Sequence, residues 1–312
     1  MAAAQPRRVI LDVDVGTDDY LALLIFLYAE QIGEIKIEAI VCTMGNTTLE
    51  NVCRNVVRLL ETVDRTDIPV YRGASKQLIP PCYDIKTFHG SDGFGGLQYD
   101  KNPDLSIVKK QPAAVAIKDL VLKNPHEISM ICVAPLTNAA LTIRLYDDFA
   151  DSIKDIWIMG GNYTAVGNVT ATAEYNFYID PEAAYIVLDS VKKPIFILTW
   201  ETCLYPKITS DWRYNVFGTK KNPAIELLNR AEKSIYRKNE KIWLPCDAFL
   251  AAAFLYPDSI ITRKSCHNAT VELYGSQTRG QIVLDHLKTK KENVTIIEEI
   301  DTESFKKLLM KL

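Results

Sequence analysis

The sequence lacks any apolar stretch long enough to cross a membrane. Its clearest apolar runs are residues 21–29 and 248–256, far shorter than the roughly 20 residues that a membrane-spanning helix needs. The N-terminal residues MAAAQPRR also lack the apolar core of a signal peptide. We therefore expect a cytoplasmic protein without a membrane partner.

Two further absences narrow the class of protein. The chain has no surplus of positive charge, with 36 Lys and Arg against 39 Asp and Glu and a net charge of −3. Nothing in this balance indicates a nucleic-acid partner. The seven cysteines are scattered and odd in number, which does not fit a disulfide framework and favours a reducing compartment.

The chain does have a repeated alternation of strand and helix patterns. Hydrophobic residues make up 48% of its 312 residues, enough for a large core. Residues 9–71 run strand, helix, strand, helix, strand, which is typical of parallel sheets with right-handed crossovers. We predict an α/β fold with an open, mainly parallel Rossmann-like sheet and helices on both faces. We expect one domain over residues 1–312, with a helical insertion at about 200–245 over the rim of the sheet.

Local signals place several helix starts. Thr48 is a predicted N-cap, and Asp180 followed by Pro181 is another. A very apolar helix is predicted over residues 243–257, where Asp247 is a reasonable N-cap. Residues 271–274 and 281–284 predict a hairpin.

Four carboxylates stand within eight residues near the N-terminus: Asp12, Asp14, Asp18 and Asp19. A buried strand precedes them, a helix follows, and Gly16 allows the turn between the two. The acids therefore lie at the carboxyl end of a strand, where ligands bind in open α/β sheets. Crowded carboxylates repel each other unless a cation or proton intervenes, and oxygen-only ligands suit Ca²⁺ or Mg²⁺. The sequence predicts a metal site here.

Helix capping offers a simpler interpretation of part of this cluster. Asp18 and Asp19 would be stabilised by the N-terminus of the following helix. That interpretation does not account for Asp12 and Asp14, which end a strand otherwise made of Val, Ile and Leu.

Other strands also end in polar turns, and together they predict a rim of functional residues. Asn46 follows the second strand, and a loop carries His89, one of only four histidines. Asn168, Glu174 and Asn176 fall close together on a stretch without helical pattern. Each of these three could instead satisfy loop backbone, as Asn often does.

Seven short motifs taken together resemble the inosine-uridine preferring nucleoside hydrolase family. They are DVDVGTDD (12–19), GN (45–46), LTN (136–138), MGG (159–161), AEYN (173–176), DPEAA (180–184) and CDA (246–248). The resemblance covers about residues 9–285. It implies the sheet of the nucleoside hydrolase type, one tightly bound Ca²⁺, and hydrolysis of ribonucleosides to ribose and free base. It also implies a homodimer or homotetramer.

The resemblance assigns roles position by position. Asp14, Asp19, Asp247 and the backbone carbonyl of Val133 match the calcium ligands, and Asp18 matches the general base. The remaining matches are the ribose-binding residues Asn46, Asn168, Glu174 and Asn176, His89 near the nucleobase, and Asp12, an acid near the metal with a less direct role.

Two positions depart from the family pattern. Val15 replaces a proline, which changes turn rigidity but removes no ligand. Cys246 stands where well-known branches carry a histidine proton donor or a tryptophan that stacks on the base. The resemblance therefore places the chain in a Cys-bearing branch and leaves base preference and the leaving-group acid open. His89 is the remaining candidate acid, and Cys246 is equally compatible with a small buried side chain.

Two alternative functions compete with this interpretation. DVDVG after an apolar strand is similar to the DxDx(T/V) motif of haloacid-dehalogenase-like phosphohydrolases that use Mg²⁺, but Gly16 stands where that motif has Thr or Val. The second alternative is a catalytically impaired nucleoside-binding protein of the same fold, because the position that activates the leaving base is changed.

Overall fold

The computed structural model describes residues 5–79, 88–236 and 241–312, and its centre is a nine-stranded sheet. The spatial order of the strands is β10-β13-β7-β6-β5-β1-β2-β3-β4, all parallel except β10 against β13. In the described chain the strands are β1 (Arg7–Val13), β2 (Ile35–Cys42), β3 (Val70–Arg72), β4 (Val108–Lys109), β5 (Ile128–Cys132), β6 (Asp155–Met159), β7 (Ile195–Leu198), β8 (Ile208–Thr209), β9 (Ile242–Trp243), β10 (Ile261–His267), β11 (Ala269–Val271), β12 (Ile282–Leu284) and β13 (Val294–Ile300).

Helices cover both faces of this sheet. They are α1 (Thr17–Gln31), α2 (Leu49–Thr62), α3 (Ala113–Lys123), α4 (Thr137–Leu145), α5 (Phe149–Ser152), α6 (Tyr175–Ile179), α7 (Pro181–Ser190), α8 (Trp200–Leu204), α9 (Ser210–Asn215), α10 (Pro223–Ile235), α11 (Cys246–Leu255), α12 (Pro257–Ile260) and α13 (Thr302–Leu309). Within the described ranges, no helix is both long enough and apolar enough to cross a membrane.

The alternation of side chains along β1 builds two cores. Val9, Leu11 and Val13 pack with α1, α2, α10, α11 and α13 on one face, whereas Ile10 packs with α3, α4 and α7 on the other. Successive residues of a strand point to opposite faces, so a strand of Val, Ile and Leu is buried on both. The predicted open parallel sheet with helices on both faces is confirmed.

The order of the strands reverses at β1. Strands β2, β3 and β4 lie on one side of β1, and β5, β6 and β7 lie on the other. The helix after β1 packs on one face and the helix after β5 packs on the opposite face. The connections leaving these two strands therefore diverge, and ligands bind in the crevice that such a reversal leaves.

The region predicted as a helical insertion is only partly helical. Its segment 208–216 begins as strand β8, which pairs antiparallel with β9, and only then continues as α9. The predicted helix 243–257 is shorter, because Trp243 belongs to β9 and α11 begins at Cys246. The prediction of Asp247 as N-cap is wrong, since Pro245 occupies that position and Asp247 lies inside the first turn.

The predicted caps Thr48 and Asp180 are confirmed. Each side chain accepts a hydrogen bond from a backbone amide of the first turn, that of Asn51 for Thr48 and that of Ala183 for Asp180. The predicted hairpin forms as β11 and β12. The edge strand β10 lies in a segment that the sequence pattern left unassigned.

A buried ion pair joins α9 to α10, and a hydrogen bond from β9 adds to it. Nε of Arg213 lies 2.8 Å from Oε2 of Glu232 without the alignment of a hydrogen bond, and the two side chains are 0% and 2% exposed. The indole N–H of Trp243 donates to the other oxygen of Glu232 at 2.9 Å. Because Ile242 and Leu244 on either side of Trp243 line the cavity described below, this pair fixes part of the cavity wall.

We predict that Glu232→Gln destabilises the protein by about 3–5 kcal/mol, since it leaves the Arg213 charge buried without a partner. The matched control is Glu50→Gln, which breaks an ion pair with Arg72 whose side chains are 42% and 46% exposed, and should change stability by less than about 1 kcal/mol. Chemical denaturation of both variants measures the difference. Equal losses would contradict the role given to the buried pair.

Candidate active site

A cavity of about 610 Å³ opens at the carboxyl edge of the sheet, where the strand order reverses. Nine of the twelve side chains or carbonyls predicted from the sequence line it: Asp18, Asn46, His89, Val133, Asn168, Glu174, Asn176, Cys246 and Asp247. The other three, Asp12, Asp14 and Asp19, are fully buried beside it. The structure thus brings together residues from six stretches of the chain, 12–19, 46, 89, 133, 168–176 and 246–247.

The N-terminus of α1 fixes one carboxylate of the cluster. Asp19 accepts hydrogen bonds from the backbone amides of Asp14 at 3.0 Å and Gly16 at 2.8 Å. Asn46 adds a side-chain amide at 3.2 Å. Asp19 is therefore stabilised by the helix N-terminus, as the capping interpretation predicted. It lies three residues after the N-cap Gly16 and accepts hydrogen bonds from amides that have no partner within the helix.

A second carboxylate, that of Asp14, is held by the turn that follows β2. The backbone amide of Asn46 donates to its Oδ2 at 2.6 Å. A Cβ on Gly45 would lie 2.0 Å from the same oxygen, so only glycine fits there. The other oxygen of Asp14, Oδ1, is buried without a hydrogen-bond partner among the described residues.

Like charges crowd at this point. Carboxylate oxygens of Asp18, Asp19 and Asp247 all lie within 4.8 Å of one another. Burial, together with the charges of Asp18, Asp19 and Asp14, raises the pKa of Asp247 well above its usual range. Burial and the charge of Asp19 likewise raise the pKa of Asp14. Such a cluster is stable only with protons or a cation between the acids.

The donor set fits a hard cation. It consists of carboxylate oxygens together with the carbonyl of Val133, without a thiolate or imidazole among them, and Asp14 and Asp18 each present a buried oxygen without a hydrogen-bond partner among the described residues. Ca²⁺ prefers this chemistry. Asp14 is not among the three acids that lie mutually closest, whereas Asp18 is.

The fourth predicted ligand, the carbonyl of Val133, is held by Asn176. The side-chain amide of Asn176 donates to this carbonyl at 3.1 Å and to the carbonyl of Met159 at 3.2 Å. The backbone amide of Val133 in turn donates to the carbonyl of Asp12 at 2.9 Å. Asn176 therefore joins the ends of β5 and β6 and fixes the carbonyl of Val133, a residue that lines the cavity.

Glu174 caps helix α6 in addition to lining the cavity. Its oxygens accept from the backbone amides of Asn176 at 2.9 Å, Gly161 at 2.7 Å and Phe177 at 3.2 Å. Burial raises the pKa of Glu174 to about 7 despite these bonds. Glu174 therefore satisfies backbone amides, as the alternative interpretation predicted. It also lines the cavity, so the same side chain can contact a ligand.

Asn168 presents its side chain differently. It is exposed and lies on an irregular loop that lines the cavity. Its backbone amide donates to the carbonyl of Ala173 at 3.1 Å. The position of its side chain therefore depends on the conformation of this loop.

The ring of His89 is oriented by Thr17. The backbone amide of Thr17 donates to Nδ1 at 3.2 Å, so a neutral ring carries its proton on Nε2. Nε2 lies 3.5 Å from Oδ1 of Asp18. Burial lowers the pKa of His89 and the charge of Asp18 opposes this effect. The imidazole N–H therefore faces Asp18 as well as the cavity.

Asp12 does not line the cavity. Its Oδ1 accepts from the hydroxyl of Thr43 and from the amide of Asn138 at 3.0 Å. Burial raises its pKa to about 7. These contacts tie β1 to β2 and α4 behind the acids, which agrees with a less direct role.

Part of the cavity lining is apolar and aromatic. Cys246 is 5% exposed there and its thiol contacts that of Cys203, while burial and this contact raise its pKa. The ring of Phe88 packs edge to face against His89 and against Tyr236. Trp200 and Leu244 also line the cavity, and apolar and aromatic surface of this kind suits a flat, apolar ligand group.

Sequence reasoning missed several residues of the cavity. Tyr175 lines it and donates its hydroxyl to the carbonyl of Gly45 at 2.8 Å, joining α6 to the turn that clamps Asp14. Its position inside the AEYN motif was the available signal. No such signal marked Phe88, Trp200 and Tyr236, because aromatic residues in loops and short helices more often pack in the hydrophobic core.

Comparison with known proteins agrees with this geometry. The sequence model of the family described as inosine-uridine preferring nucleoside hydrolase matches residues 9–307. The inosine-uridine preferring nucleoside hydrolase of Crithidia fasciculata is 31% identical over 317 residues, covering 96% of this chain and 95% of that protein. The pyrimidine-specific ribonucleoside hydrolase RihA of Shigella flexneri serotype 5b is 31% identical over 312 residues, covering 96% of each.

A solved structure has the same fold. The protein titled inosine-guanosine nucleoside hydrolase superposes with a TM-score of 0.89 at 27% identity, covering 97% of both chains. The names of these three relatives differ in the nucleosides that they mention, so base preference does not follow from similarity.

We predict that the protein without calcium is more stable at about pH 5 than at about pH 8. Burial raises the pKa of Asp12 and of Asp19 to about 7, from about 4 in an unfolded chain. The folded protein therefore binds more protons than the unfolded chain between these values, and the free energy of unfolding falls as pH rises through this window.

Thermal unfolding after chelation, at both pH values and with calcium restored, tests this prediction. Calcium should raise the melting temperature most at about pH 8, because the cation replaces protons that are absent there. A chelated protein that is more stable at the higher pH would contradict the account of the acids.

Proposed function

Because this chain belongs to the inosine-uridine preferring nucleoside hydrolase family, we propose that it hydrolyses the N-glycosidic bond of ribonucleosides in a calcium-dependent reaction. The products are ribose and the free nucleobase. The observation that carries the proposal is a cavity lined both by acids of the cluster and by apolar and aromatic side chains. The acids suit a sugar and a cation, and the apolar and aromatic side chains suit a base.

The proposed calcium ligands are Asp14, Asp19, Asp247 and the carbonyl of Val133. Oδ1 of Asp14 lacks a hydrogen-bond donor among the described residues, which supports a ligand role. When bound, calcium would polarise an attacking water and help to bind ribose hydroxyls. Three carboxylates around a divalent ion leave a net charge of about −1.

This negative charge favours the reaction. Cleavage of an N-glycosidic bond passes through a state with positive charge on the sugar, as in other glycoside hydrolyses. A site that is negative before the substrate binds stabilises that charge more than the neutral ground state. The clamps on Asp14 and Asp19 hold the carboxylates in place, so no reorganisation is needed during the reaction.

Asp18 is the proposed general base. It lines the cavity, and one of its oxygens is buried without a hydrogen-bond donor in the described part of the chain. That oxygen can accept a proton from water. The N–H of His89 lies 3.5 Å from this same oxygen, Oδ1, and so stands next to the atom that accepts the proton. His89 is also the proposed proton donor to the leaving base. The backbone amide of Thr17 donates to Nδ1 of the ring and therefore opposes the doubly protonated form that donates a proton most readily.

Asn46, Asn168, Glu174 and Asn176 are the proposed ribose-binding residues. Amide and carboxylate side chains suit hydroxyls, which both donate and accept hydrogen bonds. Asn176 and Glu174 are held by backbone groups, so their polar atoms are fixed before the sugar arrives. Fixed contacts orient the anomeric carbon toward the water and lower the entropy cost of the reaction.

The apolar and aromatic part of the lining is the proposed nucleobase subsite. Phe88, Trp200 and Tyr236 offer aromatic contact area, and Cys246 contributes a small thiol in place of a histidine or tryptophan. Aromatic packing does not distinguish one ring system strongly from another. We therefore propose that both purine and pyrimidine ribonucleosides are accepted.

The catalytically impaired nucleoside-binding protein remains the second candidate. Cys246 favours it, because burial and the contact with Cys203 raise the pKa of its thiol and make it a poor proton donor. The family assignment removes the basis of the phosphohydrolase alternative. We further propose a homodimer or homotetramer and a cytoplasmic location.

We predict calcium-dependent release of reducing sugar from at least one of inosine, adenosine, guanosine, uridine and cytidine. The measurement compares the native protein, the chelated protein and the chelated protein with calcium restored. Activity that is abolished by chelation and recovered with calcium supports the proposal. Bound calcium and bound nucleoside without sugar release would instead support the impaired binder.

We predict that Asp18→Asn retains calcium affinity and loses at least about 100-fold in kcat, because an amide cannot accept the proton from water. Asp14→Asn is the matched comparison and should weaken calcium binding, measured by calorimetry. If Asp18→Asn instead weakens calcium binding as much as Asp14→Asn does, Asp18 is a metal ligand and its assignment as base is wrong.

A further inference from the structure

The loop between β6 and α6 forms one wall of the cavity. It places Asn168 and Val169 against the ligand space and has no regular secondary structure of its own over residues 160–173. A loop that carries a polar contact must be held by something other than a helix or strand. Several of the contacts that hold its first half converge on one side chain, that of Glu201.

The carboxylate of Glu201 is a buried acceptor for this loop. It is 6% exposed and lies in the first turn of α8. Its Oε1 accepts from the backbone amides of Thr164 at 2.7 Å and Val166 at 3.3 Å and from the hydroxyl of Thr164 at 2.9 Å. The amide of Tyr163 reaches both oxygens, at 3.0 and 3.1 Å.

The backbone at the centre of this contact is strained. Ala165 has a φ of 61°, in the left-handed region that non-glycine residues rarely adopt. The amides of Thr164 and Val166, on either side of it, both point at Glu201. Successive amides around a left-handed residue form a concave anion-binding site, and here the anion is a side chain of the protein itself.

The residue before Glu201 connects the same loop to an aromatic side chain of the cavity lining. This residue, Trp200, lines the cavity, and its backbone amide donates to the carbonyl of Gly161 at 3.0 Å. From the other side, the buried side chain of Asn162 donates to the carbonyls of Val166, at 3.4 Å, and Thr172. One turn of α8 therefore holds both a wall residue and the loop.

We propose that Glu201 is a positioning residue that sets the place of Asn168 in the sugar subsite. This inference rests on the proposed function for its catalytic consequence. Only Gly167 lies between Val166, whose amide is the last one held by Glu201, and Asn168. Removal of the carboxylate frees the strained turn at Ala165, and the side chain of Asn168 then no longer occupies one position when substrate binds.

The test compares three replacements of Glu201. Glu201→Ala should lower kcat/KM by about 10–100-fold, the usual effect of losing an outer partner of a site residue. Glu201→Gln should keep most activity, because its amide oxygen can replace Oε1. Glu201→Asp keeps the charge but is too short to reach the amides, and should resemble Glu201→Ala.

A double-mutant cycle separates positioning from general destabilisation. Asn168→Ala and Glu201→Ala combined should cost no more than Asn168→Ala alone, since both changes remove the same contact. The control is Glu30→Ala, which removes a carboxylate that accepts the backbone amide of Ile37 at 2.7 Å at the far end of α1. It should leave kcat and KM near those of the native protein.

Hydrogen exchange provides a readout that does not need activity. In Glu201→Ala, or in Glu201→Asp if the alanine variant does not fold, amides of residues 163–166 should exchange faster while those of α11 do not change. Unchanged exchange in 163–166, or additive losses in the cycle, would overturn the proposal. If the native protein cleaves no nucleoside, the proposed function fails, and the exchange result still decides whether Glu201 holds the loop.

Discussion

The constraint on which this site depends is the repulsion among carboxylates buried at the point where the strand order reverses. Asp14, Asp19 and Asp247 are removed from water, and burial raises the pKa of each. The protein offsets part of this cost with backbone amides at the start of α1 and in the turn after β2. These neutral donors leave the acids negative as a group, and this charge suits a cation and, in the proposed reaction, a positively charged sugar.

The remaining parts of the site hold this cluster in place. Gly45 lets β2 approach Asp14 closely, and Tyr175 ties the same turn to α6. Asn176 joins the ends of β5 and β6 and orients the carbonyl of Val133. The crevice needs these ties because the connections after β1 and β5 leave on opposite faces. The proposed catalytic groups and the contacts that hold them therefore come from the same short turns.

Short-range patterns predicted the sheet and most of the site. Strand β1 is a continuous apolar run followed by acids, and Thr48 and Asp180 are caps that their neighbours in sequence identify. The resemblance then supplied Asn168, Glu174 and Asn176, which line the cavity as expected. Glu201 and the pairing of β8 with β9 could not be predicted in this way. Their partners are distant in sequence, and a glutamate in a helix start is also explained by the helix dipole.

We propose that the acids at the start of α1 hold one calcium ion in the sugar subsite. A crystal structure with calcium, checked by the anomalous signal of the ion and by binding stoichiometry in solution, tests it most directly. The account predicts one ion per chain in contact with Asp14, Asp19, Asp247 and the carbonyl of Val133. An ion bound elsewhere, or acids that remain protonated and unliganded at saturating calcium, would contradict it.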